Sequence, residues 1–317
     1  MKAVICEAIG KPVRVVERET PEPGAGEVLI GVEACGLNYV DALICRGGYQ
    51  LQPKMPYTPG SEFAGTVLGV GADVEKLAPG DRVLGRGGYV SHAVKPAAQL
   101  RQVPATMSVA QAATFIQSYS TMHYAFERAG LSEGETVLVL GASGGIGRAA
   151  VDLARARGAR VIAAASSDER LEACRAAGVD AAVNYTNEDL KTRARELSDG
   201  GVDVVVDPVG GDLAEPALRA LGYLGRYLVI GFAAGAIPKI PINQVLLRNR
   251  SVVGIDWGAW SGAHPDEQDA IVERLLAMIE AGEITPQEPS SYPFEQAQQA
   301  LDDLFERRVI GKAVLTP

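Results

Sequence analysis

From Thr136 to Arg170 the chain reads TVLVLGASGGIGRAAVDLARARGARVIAAASSDER. An apolar run meets glycines at every third position, then a helix-like stretch, then a second apolar run. Runs with so little polar alternation are strands covered on both faces, and parallel strands of that kind need a crossover helix between them. Gly141 permits a tight turn at the strand end. Gly144 and Gly145 let a pyrophosphate approach the backbone, and Gly147 lets helix and sheet pack closely. Unpaired N–H groups of the helix's first turn then face an anion, helped by the helix dipole. Ser143, Gly144, Gly145 and Ile146 are the candidate contacts. A turn that binds nothing can carry the same glycines, but one set within a strand–helix–strand unit favours a dinucleotide.

The second strand decides which dinucleotide. An NAD site presents an acid about 20 residues after the glycines, to bind the ribose 2′-hydroxyl. Here Ala165 and Ser166 occupy that place, and Asp168 and Glu169 start the next helix. Arg170 lies close by. A small hydroxyl beside a cation suits a 2′-phosphate, so NADPH is the expected cofactor.

The unit is not alone. TVLVLG, ARVIAAA, AAVNY, VDVVVDPVG, GRYLVIGFA and RSVVGIDW alternate with helical segments, the six strands of a Rossmann, doubly wound parallel-sheet domain. Before them, short β-rich runs such as EVLIGVEA, EFAGTVLGVG and DRVLG are punctuated by PEPGAGE, YTPGS and APGD, which reads as a β-barrel-like domain. After them, PDEQDAIVERLLAMIEAGEI is a helix with Ile271, Leu275 and Met278 at helical spacing. A second helix and the strand GKAVLTP follow. The expected division is a catalytic β domain over 1–120, the nucleotide domain over 121–258, and a return to the catalytic domain over 259–317.

Composition excludes other classes. A net charge of −9 argues against duplex nucleic acid, which requires a basic footprint. No apolar run approaches the roughly 18 residues of a membrane helix, and the first residues turn polar too early for a signal peptide. A cytoplasmic location is expected. Cys6, Cys35, Cys45 and Cys174 form no CxxC pair, as ordinary reduced thiols would.

With the glycine turn, VNY and the N-terminal GLNYVDALICRGGYQ…PYTPGSEFAGTVLGVGADVEKLAPGDRV in view, the chain resembles the zinc-independent NADPH:quinone oxidoreductases. These zeta-crystallin-like proteins are a branch of the medium-chain dehydrogenase/reductase superfamily. The resemblance runs from the first strand to GKAVLTP. It implies a GroES-like barrel followed by a Rossmann domain, with the active site between them.

Zinc-dependent relatives place a Cys where this chain has Asn38, a His where it has Ser61, and a third ligand near Gln117. None of the three supplies the donors a catalytic zinc takes. The cysteine-rich structural-zinc loop is also missing, so no metal is expected. The resemblance also implies cofactor contacts. Arg170 stands where the branch has a lysine and Tyr185 where it has a tyrosine, both toward the 2′-phosphate. Thr121 would meet the nicotinamide ribose or phosphates. Gly210, Gly231, Phe232 and Trp257 would line the nicotinamide side, and Lys312 would reach the cofactor from the returning strand.

Hydride transfer without a metal relies on positioning and hydrogen-bond donors. Asn38 and Tyr49 fall on segments that the resemblance places around the nicotinamide pocket, and they are the candidate catalytic, substrate-facing donors. Asp41 is read as an anchor for the backbone or for Asn38, not as a group that titrates in catalysis. The expected activity is reduction of a quinone-type acceptor, with reduction of activated C=C bonds in enones or enoyl thioesters as the alternative. A nonenzymatic NADPH-binding protein is the competing class. A homodimer through the edge strand SVVGIDW is implied by analogy.

Overall fold

The protein is described by a computed structural model covering residues 1–50 and 52–317. Contacts divide the chain into two compact units, Met1–Gln117 with Gln287–Pro317, and Ser118–Pro286. Segment 259–286, expected to belong to the return, therefore packs with the nucleotide unit, and the return begins later.

Strands β1 (Lys2–Ile5), β2 (Arg14–Glu17), β3 (Glu27–Leu37), β4 (Glu62–Val70), β5 (Arg82–Gly85), β6 (His92–Pro96) and β7 (Arg101–Gln102) come from the first hundred or so residues. The middle supplies β8 (Thr136–Leu140), β9 (Arg160–Ala165), β10 (Ala181–Asn184), β11 (Val202–Asp207), β12 (Leu221–Val229) and β13 (Ser251–Gly254). Strands β14 (Ser290–Pro293) and β15 (Ala313–Thr316) close the chain.

In the first unit the sheet runs β14-β15-β3-β4-β5-β7, with β6 also pairing to β3. The returning β15 is antiparallel to β3 and sets Ala313 opposite Leu37. Strand β3 alternates buried and half-buried residues until Glu33, then buries Ala34–Leu37 continuously. That change of period marks where the sheet gains cover on its second face. Gly36 lies in this stretch. A Cβ there would stand 2.1 Å from the Ala113 carbonyl oxygen and 2.7 Å from Glu62 Cγ. Only glycine lets those two groups meet over β3.

In the second unit the order is β10-β9-β8-β11-β12-β13, every pair parallel. Counted from β8, that is strand order 3-2-1-4-5-6, and the order reverses between β8 and β11. In such sheets ligands bind outside the carboxyl ends of the strands at the reversal. The strands are aliphatic and sealed: Val137–Leu140, Val161–Ala164 and Val204–Val206 are each 0% exposed. The helix Pro265–Glu280 buries Val272, Leu275, Leu276 and Ile279. Of the helically spaced Ile271, Leu275 and Met278, Leu275 is buried and the other two are half-buried.

Candidate active site

The carboxyl end of the parallel sheet carries the glycine turn. Gly141 follows β8 with φ 56°. The helix Gly145–Ala156 begins directly after Gly144, and no side chain caps it. A Cβ on Gly147 would stand 2.4 Å from the Gly141 carbonyl oxygen, so the helix start lies against the strand end. A Cβ on Gly144 would meet nothing nearer than 3.4 Å, leaving that face of the turn open. Uncapped first-turn N–H groups on an open face form an anion cradle. Arg170 Nη1 donates to Ser143 Oγ at 3.3 Å, which joins two of the expected phosphate contacts.

Ser167 caps the next helix, Asp168–Ala176, so Asp168 and Glu169 occupy its first turn, as read from the sequence. Asp168 is engaged by the Asn184 amide at 2.9 Å. Ser166 is exposed and Tyr185 half-buried, both on the same edge, where the Tyr185 N–H donates to the Ala165 carbonyl. Past the reversal, Asp207 ends β11. Its Oδ1 accepts from the N–H groups of Val209 and Gly210, and its Oδ2 from the Tyr227 hydroxyl. Gly210, at φ 68°, packs against Phe232, and Gly231 follows β12, its N–H donating to the Asp207 carbonyl. Thr121 is buried on the helix Ile116–Ala129. Trp257 is 8% exposed. Its indole N–H donates to Gln268 at 2.7 Å, and Gln268 in turn donates to Ser120. Trp257 therefore packs into the core of its own unit.

The barrel unit carries a second polar assembly. Asn38 precedes the helix Tyr39–Arg46, Ser61 and Glu62 open β4, Gln117 lies at the start of the helix Ile116–Ala129, and Lys312 precedes β15. Lys312 Nζ donates to Asn38 Oδ1 at 2.5 Å and to Glu62 Oε1 at 3.1 Å. Asn38 Nδ2 donates to Glu62 Oε1 at 2.8 Å and to Ser61 Oγ at 3.1 Å. Ser61 Oγ donates to Gln117 Oε1 at 2.7 Å. Glu62, 1% exposed, also accepts from the Gln117 backbone N–H at 2.9 Å. A buried carboxylate is tolerated because its charge is paired and both its oxygens are bonded.

Two expectations change here. Both amide hydrogens of Asn38 are already given to Glu62 and Ser61, so it is a link in the assembly and not a donor toward substrate. Lys312, expected at the cofactor, spends two donors on Asn38 and Glu62. Tyr49 is half-buried just past the helix Tyr39–Arg46.

Beneath the assembly, Asp41 Oδ2 accepts from the Asn38 N–H at 2.9 Å and the Tyr89 hydroxyl at 2.7 Å. This is the anchoring role read for Asp41. Burial pushes its carboxyl up to about 7, against the pull of Tyr89, the Asn38 amide and the Lys312 charge. Glu62 and Tyr89 were not picked out from sequence. An acid opening an otherwise apolar strand, EFAGTVLGV, is the signal that could have found Glu62. Among the described residues, no group of three or more His, Cys, Asp or Glu side chains gathers where a metal could be held.

Comparisons with known proteins agree with this architecture. Residues 24–114 match the alcohol dehydrogenase GroES-like domain, and residues 145–276 match the zinc-binding dehydrogenase domain. The quinone oxidoreductase-like protein 2 homolog of Nematostella vectensis is 37% identical over 323 residues, covering 99% of this chain and 88% of that protein. The crystal structure of Escherichia coli quinone oxidoreductase complexed with NADPH superposes with TM-score 0.87 at 27% identity, covering 100% of both chains. The CurK enoyl reductase superposes with TM-score 0.86 at 26% identity, over 99% of this chain and 98% of that one. A GroES-like barrel with a Rossmann sheet defines the class: the chain belongs to the medium-chain dehydrogenase/reductase superfamily. Within it, the chain falls in the quinone oxidoreductase branch.

Proposed function

We propose that the protein is an NADPH-dependent oxidoreductase that reduces quinone-type acceptors without a catalytic zinc. The observation that carries the cofactor is the glycine turn: an uncapped helix start, an open face at Gly144, and Arg170 bonded to Ser143. Ser143, Gly144, Gly145 and Ile146 would hold the pyrophosphate. Ser166, Arg170 and Tyr185 would hold the 2′-phosphate, and Thr121, Gly210, Gly231 and Phe232 the nicotinamide end. NADPH supplies a hydride when bound. The protein's share is to orient the dinucleotide through amides and the Arg170 guanidinium, and to present donors where negative charge builds on the acceptor. The E. coli quinone oxidoreductase complex with NADPH is consistent with this choice of cofactor.

Zinc independence rests on the residues at the three ligand positions of zinc-dependent relatives. Asn38 donates to Ser61 and Ser61 to Gln117, and none of the three offers a thiolate, imidazole or carboxylate. The family description "zinc-binding" for residues 145–276 therefore does not extend to a metal requirement in this reading. A homodimer through the free edge of β13 is also proposed. Val252 on that strand is 41% exposed, and the nearby Ile242, Leu246 and Leu247 are 83%, 78% and 54% exposed. No helix among the described residues is long and apolar enough to cross a membrane, in keeping with the proposed cytoplasmic location.

Reduction of activated C=C bonds is the second reading, favoured by the likeness to the CurK enoyl reductase. The same hydride delivery serves both. NADPH oxidation measured against 1,4-benzoquinone, 2-alkenals and crotonyl-CoA separates them. Turnover confined to the quinone is the expected result, undiminished by chelators and favouring NADPH over NADH until Arg170→Ala removes the preference. Turnover confined to the alkenes would install the second reading, and a loss of activity on chelation would overturn zinc independence.

A further inference from the structure

The amino end of the parallel sheet, opposite the glycine turn, gathers arginines. Arg195 lies in the last turn of the helix Leu190–Glu196, and Arg219 in the last turn of Ala214–Ala220. Arg248 and Arg250 precede β13. Backbone contacts tie these segments together. The Arg195 carbonyl accepts from the Gly200 N–H, and a Cβ on Gly201 would stand 2.7 Å from Gly222 Cα at the head of β12. The Leu224 N–H donates to the Arg248 carbonyl at 2.9 Å. Arg248 and Asn249 hold φ of 72° and 52°, a conformation that residues other than glycine adopt at a cost.

Arg250 is the floor of the cluster. It is 7% exposed, and its guanidinium donates to the carbonyls of Gln244, Arg219 and Leu221 at 3.2, 3.4 and 2.6 Å. Two of those carbonyls lie at the C-terminal end of Ala214–Ala220, whose dipole favours a cation. Among the described residues no carboxylate bonds to Arg250, and its Nε has no partner. Burial disfavours its charged form, and the charges of Arg248, Arg195 and Arg219 add to the penalty. Arg219 is bridged to Glu215 at 2.6 Å. Arg195, half-buried, and Arg248, exposed, make no ion pair among the described residues. Asp199, on the turn before β11, is exposed and pairs with neither. A helix cap accounts for Arg250 alone. It gives no reason for three more cations around it in a chain of net charge −9.

We propose that Arg195, Arg219 and Arg248, set around the buried Arg250, bind a phosphate-type oxyanion at the end of the sheet opposite the nucleotide cradle. Like charges held this close favour an anion between them, and planar guanidinium forks match two phosphate oxygens at once. The anion would bridge the segments that open β11, β12 and β13, so its binding stabilises the 118–286 unit. Hydride transfer plays no part in this, and the site would serve a chain with no turnover equally well.

The test titrates the full chain with inorganic phosphate, balanced by chloride at constant ionic strength, and reads phosphorus NMR line broadening and thermal unfolding. Wild type, Arg195→Gln, Arg248→Gln, their double variant and Arg170→Ala are compared. Arg250 is left in place, so the helix end stays capped. In chloride alone each glutamine variant should unfold at the wild-type temperature or slightly above it, because a like charge has gone. Phosphate at about ten times its Kd should raise the wild-type Tm by about 2–5 °C and reverse that order. Each single variant should weaken phosphate about tenfold or more, as the loss of a hydrogen bond to a charged group does. The double variant should show no saturation, and Arg170→Ala should match wild type. A phosphate response lost in Arg170→Ala but kept in the double variant would put the ion on the glycine turn and overturn the proposal. Wild-type protein with no saturable response to phosphate would overturn it too, leaving the arginines as a helix cap and its solvated neighbours.

Discussion

Asp41 shows how one side chain couples architecture to pH. It is 1% exposed and braces Asn38 against Tyr89. Unfolded, it titrates near the ordinary value of about 3.9. Folded, burial raises it to about 7. Between those values the folded protein keeps a proton the unfolded chain has released. Its contribution to stability is therefore complete below about pH 4, declines as pH rises, and is gone once pH passes the folded value. Denaturant unfolding across that window should show a smaller fall in stability for Asp41→Asn than for wild type. Equal slopes would assign the decline to Asp152 and Asp207, whose carboxyls burial also raises. Tyr89, Lys312 and Glu62 are the polar and charged groups that face Asp41.

Among the elements, the strand–turn–helix after β8 carries the most consequence per residue. A methyl at Gly147 would meet only backbone, with Ala142 Cα 2.6 Å away and the Gly141 oxygen nearer still. Neither can rotate aside, so the helix must move off the sheet. Gly147→Ala should cost about 1–3 kcal/mol of stability and weaken NADPH at least about tenfold, since the cradle shifts with the helix. Gly262→Ala is the control, because a Cβ there meets nothing within 4 Å on the helix Trp257–Ala263. It should leave affinity unchanged and stability equal or slightly higher. Calorimetric titration and thermal unfolding read both variants, and retained affinity in Gly147→Ala would refute the close-packing account. The six strands were legible in advance because unbroken Val, Ile, Leu and Ala runs have one stable use, a sheet covered on both faces. The helix Pro265–Glu280 was legible from its spacing, but not its buried stripe, because apolar residues surround much of it and only its neighbours decide which face is covered.

For the molecule as a whole, local pattern ends where distant pairing begins. Asn38 and Glu62 are separated by 24 positions, and Asn38 and Lys312 by 274. Nothing in GLNYVD announces that its asparagine will have both amide hydrogens engaged, so it was read as an open donor. The cofactor turn, held within one crossover, was legible for the opposite reason. Association is a property at the same scale. If the β13 edge joins two copies, Val252→Lys puts charges onto it and should yield monomers in light scattering or sedimentation, with unfolding otherwise little changed. A dimer that survives would move the interface elsewhere. The interrupted make-up of the barrel unit also bears on how a newborn chain acquires its shape. Residues 118–286 form an unbroken stretch that can settle as soon as it leaves the ribosome. The β-rich segment made before it must wait, the Cys35–Leu37 end of β3 bare on one side, until Ala313–Thr316 arrives to cover it. Throughout synthesis that exposed backbone is what a chaperone would have to shield.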